Sequence, residues 1–505
     1  MQLNAGPIQV FYDNGYLRTF RVNDEEVLRM VYFALRDRDW NTAQVTILDE
    51  NVSAEADSFR ISYDWLADDL GINMNGTLQI NGRSDGRITF EFYGKANNAF
   101  WRNRIGFCVL HPIEGLAGQP CFIESLDGQK TKSTFPDLIS PHQPFFNINA
   151  MNWVMASGQE FRLDFDGDVF ETEDQRNWTD ASYKTYCTPL ERPFPVEIQS
   201  GTEIRQRITF EPVQLSKKAP IKIDQQNSAA TTKANTVPRV GVGHRADGPA
   251  LTPAQAQILQ ECSFSYLRAD VFFADTNWKT TLLAAQHDAA LLDIPLELAL
   301  FFSQDATSEA QQLINFVREH NTALYTISLF NAHNWTTDDR LLNQVIALFR
   351  EQLPSVKLGG GTDANFVDLN RHRFDFSQVD FVTYSINPQV HAFDDQTLLE
   401  NVAAQADTVQ SARELSGGKP VHISPITLRP RFNPDAKVQT LPRQPPADPR
   451  HLTDFATEWT RQSLETLTQA GVASITYYET HGPRGLVDKS EPHPVLSAFL
   501  TRPLY

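Results

Sequence analysis

Between Gly241 and Gly485, eight short apolar runs alternate with helical stretches, and polar, aromatic and acidic residues gather where most of the runs end. These two observations predict a (β/α)8 TIM barrel, in which side chains at the strand C-termini converge on one mouth. A third observation, the alternation of apolar and polar residues from 1 to about 213, predicts an antiparallel β-sandwich-like domain ahead of the barrel. The fold class is thus α/β plus β. Residues 1–236 form the β-rich part with its linker, and 237–505 the catalytic barrel.

The β-domain is read from QVTILDENVS, GTLQINGRSDGRITFEFYGKA, QEFRLDFDGDVFETED and IRQRITFEPV, which Asn-Gly, Asp-Gly and Pro signals interrupt. Lys217–Pro238 is polar and Ala/Thr-rich and reads as a linker. The first barrel strand is then expected at Arg239–Val242. Its helix is expected at Pro253–Glu261, where proline suits the first helical turn. Strands follow at Tyr266–Phe273, Leu296–Phe301, Ala323–Leu329, Val356–Leu358, Phe381–Ser385, Val421–Ser424 and Ala473–Tyr478. Helices fall between them at Lys279–Leu292, Ser308–Glu319, Asp338–Glu351, Gln396–Glu414 and His451–Gln469. The helix after the fifth strand is expected to be short or missing, because LNRHRFDFSQVD has little helical pattern. After Gly485 the chain stops where a closing helix is due. Either the short tail covers the seam between strands eight and one, or the natural chain is longer.

Bulk properties narrow the function. The 505 residues are 41% apolar and include 33 Phe, enough for sizeable cores. A formal charge of -18 without a Lys/Arg-rich tract argues against nucleic acid as the main partner. The N-terminus lacks the basic start and apolar run of a signal peptide, and no stretch approaches the roughly 20 apolar residues of a membrane span. Four cysteines fit neither a zinc knuckle nor a disulfide scaffold, so a cytoplasmic, reduced protein is expected. A Cys108–Cys121 bridge across a hairpin is the disfavoured alternative.

The candidate chemistry lies at strand ends. Glu479 in YYETHGPRG stands where strand eight meets a glycine-rich loop, a place for a nucleophile, base or acid. The plainer role is to hold Arg484 or His481. Asp363 and Asn365 follow three glycines in GGGTDANFVDLNR; a tight turn capped by Asp363 is the alternative. His244, Arg245 and Asp247 follow strand one, and Asp270 and Asp275 bracket strand two. Glu297 inside PLELALFF is costly to bury alone. It reads as an inward mouth residue, or as an ion-pair partner of Arg268. Asn331, Asn387 and His391 offer neutral hydrogen-bonding groups, while His422, Arg429 and Arg431 surround strand seven. His244, His391 and His422 are candidates for a shared metal, but no local ligand spacing such as HExxH occurs, so no metal or cofactor is expected.

The segments RNRIGFCVLHP, FETEDQRNWTDASYKTY, GTDANFVDLNR, TYSINPQVHAFD, ISPITLRPRFNP and YYETHGPRG together resemble the D-apionate lactonase family. The resemblance spans the β-domain and the barrel. It implies a glycoside-hydrolase-like barrel that opens the lactone of a branched-chain sugar acid, with a small β-domain usually following. It carries no catalytic assignment, so residue roles rest on barrel geometry. Glu479 is expected as general base for water, Asp363 to orient the water or protonate the alkoxide, and His244 and Asn387 to face the oxyanion. Tyr384, Asn365, His391, Arg429 and Glu297 are expected to bind substrate. The rivals are glycoside hydrolysis by Glu479 with Asp363 or Glu297, and a noncatalytic sugar-binding protein. Oligomeric state is not legible in the sequence.

Overall fold

The computed structural model describes residues 1–215, 237–434, 443, 445–489 and 491–500. It divides into two compact units, Met1–Gln175 with Ser182–Ala230, and Arg176–Ala181 with Thr231–Tyr505. The first unit holds two nine-stranded antiparallel sheets. Strict alternation drives them: in Phe59–Asp69 the residues Phe59, Ile61, Tyr63, Trp65 and Ala67 are buried, and their neighbours are not. Rings from both sheets meet in one core, with Phe33 5.2 Å from Trp65 and 4.9 Å from Phe92. Cys108 and Cys121 lie in different sheets, and all four cysteines are free and buried, so the hairpin bridge does not form. Burial pushes the Cys121 thiol up to about 12. The expected linker lies outside the described residues, except for its last two positions.

The second unit contains the barrel. Its strands are β1 (Arg239–Gly243), β2 (Leu267–Phe272), β3 (Leu296–Phe302), β4 (Leu324–Asn331), β5 (Lys357–Gly361), β6 (Phe381–Ile386), β7 (Val421–Ile426) and β8 (Ser474–His481). Each pairs in parallel with the next, and β1 also pairs with β8, which closes the barrel. The helix after β5 is short, Phe366–Arg371, as its sequence suggested. The long helix expected after β6 is broken instead into Asp395–Glu400, a 3-10 turn Asn401–Ala403 and Ala404–Leu415. The tail does cover the seam. Gly485–Asp488 adds beside β8, and Leu486, Val487, Val495, Leu496 and Phe499 are buried, Phe499 packing on Phe264 and Tyr477.

The barrel interior is polar toward the N-terminal ends of its strands. Tyr266 meets the hydroxyls of Ser474 and Thr476 at 2.7 and 3.0 Å. The ring of Phe381 occupies the space where a Cβ on Gly359 would lie, 2.1 Å away. Glu297 is inward but lies beneath the mouth. Hydroxyls of Ser424, Thr326 and Thr476 donate to it at 2.5, 3.2 and 3.4 Å. Burial pushes its carboxyl up, while the charge of Arg268 and these hydroxyls pull it back. It lies beneath the cavity at the mouth and is not among the residues that line it, so its expected substrate contact is corrected.

Candidate active site at the barrel mouth

The C-terminal end of β8 is bulged. Val242 pairs with Tyr477, but Gly243 pairs with Glu479, so Tyr478 is the extra residue, with φ of 51°. Tyr477 and Tyr478 both reach the helix Asp454–Gln469, where their hydroxyls meet Ser463 at 2.8 Å and Thr460 at 2.7 Å. Glu479 is thereby turned inward. The bulge needs glycine opposite, because a Cβ on Gly243 would lie 2.5 Å from the Tyr478 carbonyl oxygen.

Glu479 lines a cavity with His244, Arg268, Asp270, Arg429, Arg431 and Arg484. Arg484 Nε donates to its Oε1 at 2.9 Å, and Arg484 Nη2 lies 2.7 Å from Asp247. The second oxygen, Oε2, is buried without a hydrogen-bond partner among the described residues. Burial pushes the carboxyl above its ordinary value, and Arg484 only partly reverses this. A carboxylate with one free, poorly solvated oxygen is a stronger base than one in water.

His244 follows β1 and shares that cavity. Its Nδ1 is 3.1 Å from Asp288, which is fully buried on the helix Trp278–Leu292. Asp288 also accepts from the Leu251 backbone N–H at 3.0 Å. Burial opposes its charge, yet the His244 hydrogen bond and charge leave the carboxyl below its ordinary range. The carboxylate fixes the ring, leaving Nε2 as the atom for chemistry.

Asp363 has a different setting from the one expected. Arg268 and Arg443 each donate to it at 2.5 Å, and Arg431 at 3.0 and 3.2 Å. Arg268 and Arg431 also bind Asp270. Burial would raise the Asp363 carboxyl, but the three guanidiniums hold it well below the usual range. It cannot serve as a proton donor near neutrality, and that expected role is corrected. Arg429 does line the cavity and pairs with Asp448 at 3.2 Å.

The other expected residues sit elsewhere. Tyr384 is fully buried and its hydroxyl donates to Thr408 at 2.7 Å, on the helix Ala404–Leu415, so it does not line the cavity, contrary to expectation. Asn387 donates to Asn365 at 3.1 Å, and neither lines the cavity. His391 Nδ1 lies 2.6 Å from Asp180, in the short segment Arg176–Ala181, with Trp178 edge-on at 5.2 Å. His422 is buried and stacked on Phe381 at 3.9 Å, and burial pulls it down to about 3. The three histidines therefore do not meet. Among the described residues no group of three or more His, Cys, Asp or Glu is placed to hold a metal ion.

Sequence reasoning overlooked Asp288, although a signal was present. It is a carboxylate beside a buried helical stripe of Leu282, Ala285, Ala289 and Leu292, where an acid needs a partner. Arg443 gave no signal, since it belongs to a polar, proline-rich stretch with no periodicity.

A closed parallel barrel with a half-buried carboxylate and an oriented imidazole at its mouth defines a barrel hydrolase class. Residues 1–214 match the model of the D-apionate lactonase N-terminal domain, and 240–505 that of the D-apionate lactonase TIM barrel domain. A D-apionate lactonase of Brucella anthropi is 31% identical over 525 residues, covering 100% of this chain and 86% of that protein. The chain belongs to the D-apionate lactonase family. Among solved structures, a β-arabinopyranosidase is similar at 9% identity and TM-score 0.29, over 83% of this chain and 75% of its own. A family 39 glycoside hydrolase from Bacteroides cellulosilyticus is similar at 10% identity and TM-score 0.36, over 78% of each chain.

Proposed function

We propose that the cavity beside Glu479 hydrolyses a sugar-acid lactone, D-apionolactone foremost, to the open hydroxy acid, D-apionate. Family membership supports the substrate class. The observation that carries the mechanism is the unpartnered Glu479 Oε2 in the cavity wall. Oε2 takes a proton from water as the water oxygen bonds to the ring carbonyl carbon. The developing oxyanion is met by His244 Nε2–H, with the ring held through Nδ1 by Asp288. The ring C–O bond then breaks, and Glu479 returns its proton to the departing ring oxygen. Arg429 and Arg431 read the substrate's hydroxyls and hold the new carboxylate. The four free thiols are compatible with a reducing, cytoplasmic setting.

Glycoside hydrolysis needs a second available carboxylate facing the first. Asp363, Asp270 and Asp448 are each bound by guanidinium groups, whereas Asp275 in the cavity wall accepts from the Asn277 backbone N–H at 2.9 Å; family membership is what makes the glycosidase reading the weaker one. The test is proton release on adding D-apionolactone, with E479Q and aryl glycosides alongside. Opening abolished by E479Q, with aryl glycosides untouched, is expected. No opening above the spontaneous rate would sink the lactonase reading.

A further inference from the structure

The cavity occupies only part of the mouth. Its described walls come from β1, β2, β7 and β8 and the segments after them; β3 to β6 contribute none. Beside the cavity, whose wall includes Phe272 and Arg443, the mouth is aromatic toward β3 and β4. Phe272 ends β2, and Phe301 and Phe330 are the next-to-last residues of β3 and β4, with ring centroids 4.3 and 5.4 Å apart, and Trp335 follows at 6.0 Å from Phe301. Such a shelf beside a sugar site is the surface on which another sugar ring would stack.

Here the protein covers the shelf itself. From the segment after β7, Phe432 packs on Trp335 at 4.8 Å. The Arg443 guanidinium lies over Phe432 at 3.6 Å, Trp335 at 4.4 Å, Phe272 at 4.9 Å and Phe301 at 5.1 Å. One nitrogen donates to Asp363 at 2.5 Å, while Nε and Nη2 are buried without partners among the described residues. A guanidinium placed for hydrogen bonding would satisfy those donors. One placed by ring stacking and a single anion fills space.

We propose that Arg443 and Phe432 are specificity determinants that plug a second sugar subsite. They confine the enzyme to a free monosaccharide lactone and exclude lactones carrying a further glycosyl unit. This rests on the lactonase reading above. A substituent on the lactone ring that points toward β3 and β4 would have to displace both side chains.

The experiment compares kcat/KM for D-apionolactone with that for a glycosylated (disaccharide) aldonolactone, in the wild type and in R443A, F432A and R443M. The larger lactone should be the poorer wild-type substrate by about a hundredfold. R443A and F432A should each raise the larger-to-smaller ratio about tenfold, while R443M, which keeps the bulk, leaves it within about twofold of wild type. Thermal unfolding checks each variant, and F432A alone decides if R443A does not fold. A ratio unmoved by R443A and F432A overturns the plug, as does an equal rise in R443M. Calorimetric Kd values for nonhydrolysable lactams of both sizes read the same ratio without turnover. If no lactone is opened, the lactonase reading falls and the lactam ratio still decides the plug.

Discussion

The two sides of the barrel mouth use the same residue types to opposite effect. Around Asp363, an anion is matched by three guanidiniums and sealed beneath aromatic rings. Around Glu479, one carboxylate oxygen is matched by Arg484 and the other faces no donor. The first arrangement is spent on holding the loop ends together. The second leaves capacity for a ligand, at a cost in desolvation that the fold must carry. Residue type and position at a strand end therefore do not identify a catalytic carboxylate; its remaining hydrogen-bonding capacity does.

Substitutions can break this contrast. E479Q should lower kcat on D-apionolactone by about a thousandfold. It should leave the thermal midpoint at neutral pH unchanged or higher. A carboxyl raised above its ordinary 4.5 makes the folded state less favourable once pH exceeds that value, and the amide removes the penalty. The wild-type kcat/KM should accordingly rise through an apparent pKa above 4.5. D363N should do the reverse, costing about 3–5 kcal/mol in denaturant unfolding because three buried cations lose their anion. Since the Asp363 carboxyl is depressed, its contribution is complete above the unfolded value of about 3.9 and fades as pH falls toward the folded one. A D363N variant of wild-type stability would remove the distinction between the two sides. D288N should lower kcat by about tenfold and shift the pH profile, with KM little changed, because the ring of His244 loses its anchor. Y384F should be nearly silent in kcat and cost about 1 kcal/mol of stability, the value of one buried hydrogen bond. A large kcat effect there would return Tyr384 to the site.

The barrel was legible because its signals are local and periodic. Apolar runs of strand length and capped helices such as Pro253–Gln260 announce themselves within a dozen residues. Glu479, His244 and Arg429 were legible for the same reason, since strand ends can be located and the mouth follows from them. Tyr384 and Glu297 failed on depth and direction, which a run of consecutively buried residues such as FVTYSI does not reveal. Asp363 failed on partners. Two of its guanidiniums come from residues 68 and 80 positions away, and no spacing rule connects them.

The bulge at Tyr478 amounts to a change of phase in the code that assigns side chains to the two faces of a strand. Simple alternation from Thr476 would direct a phenol into the mouth and press Glu479 against the helix. One surplus residue exchanges them. Flattening the bulge with every residue kept would present an aromatic ring where the base now stands, whereas deleting Tyr478 itself would leave Glu479 facing inward. In a family of such barrels, a change of strand phase at this point is thus a larger chemical step than most substitutions.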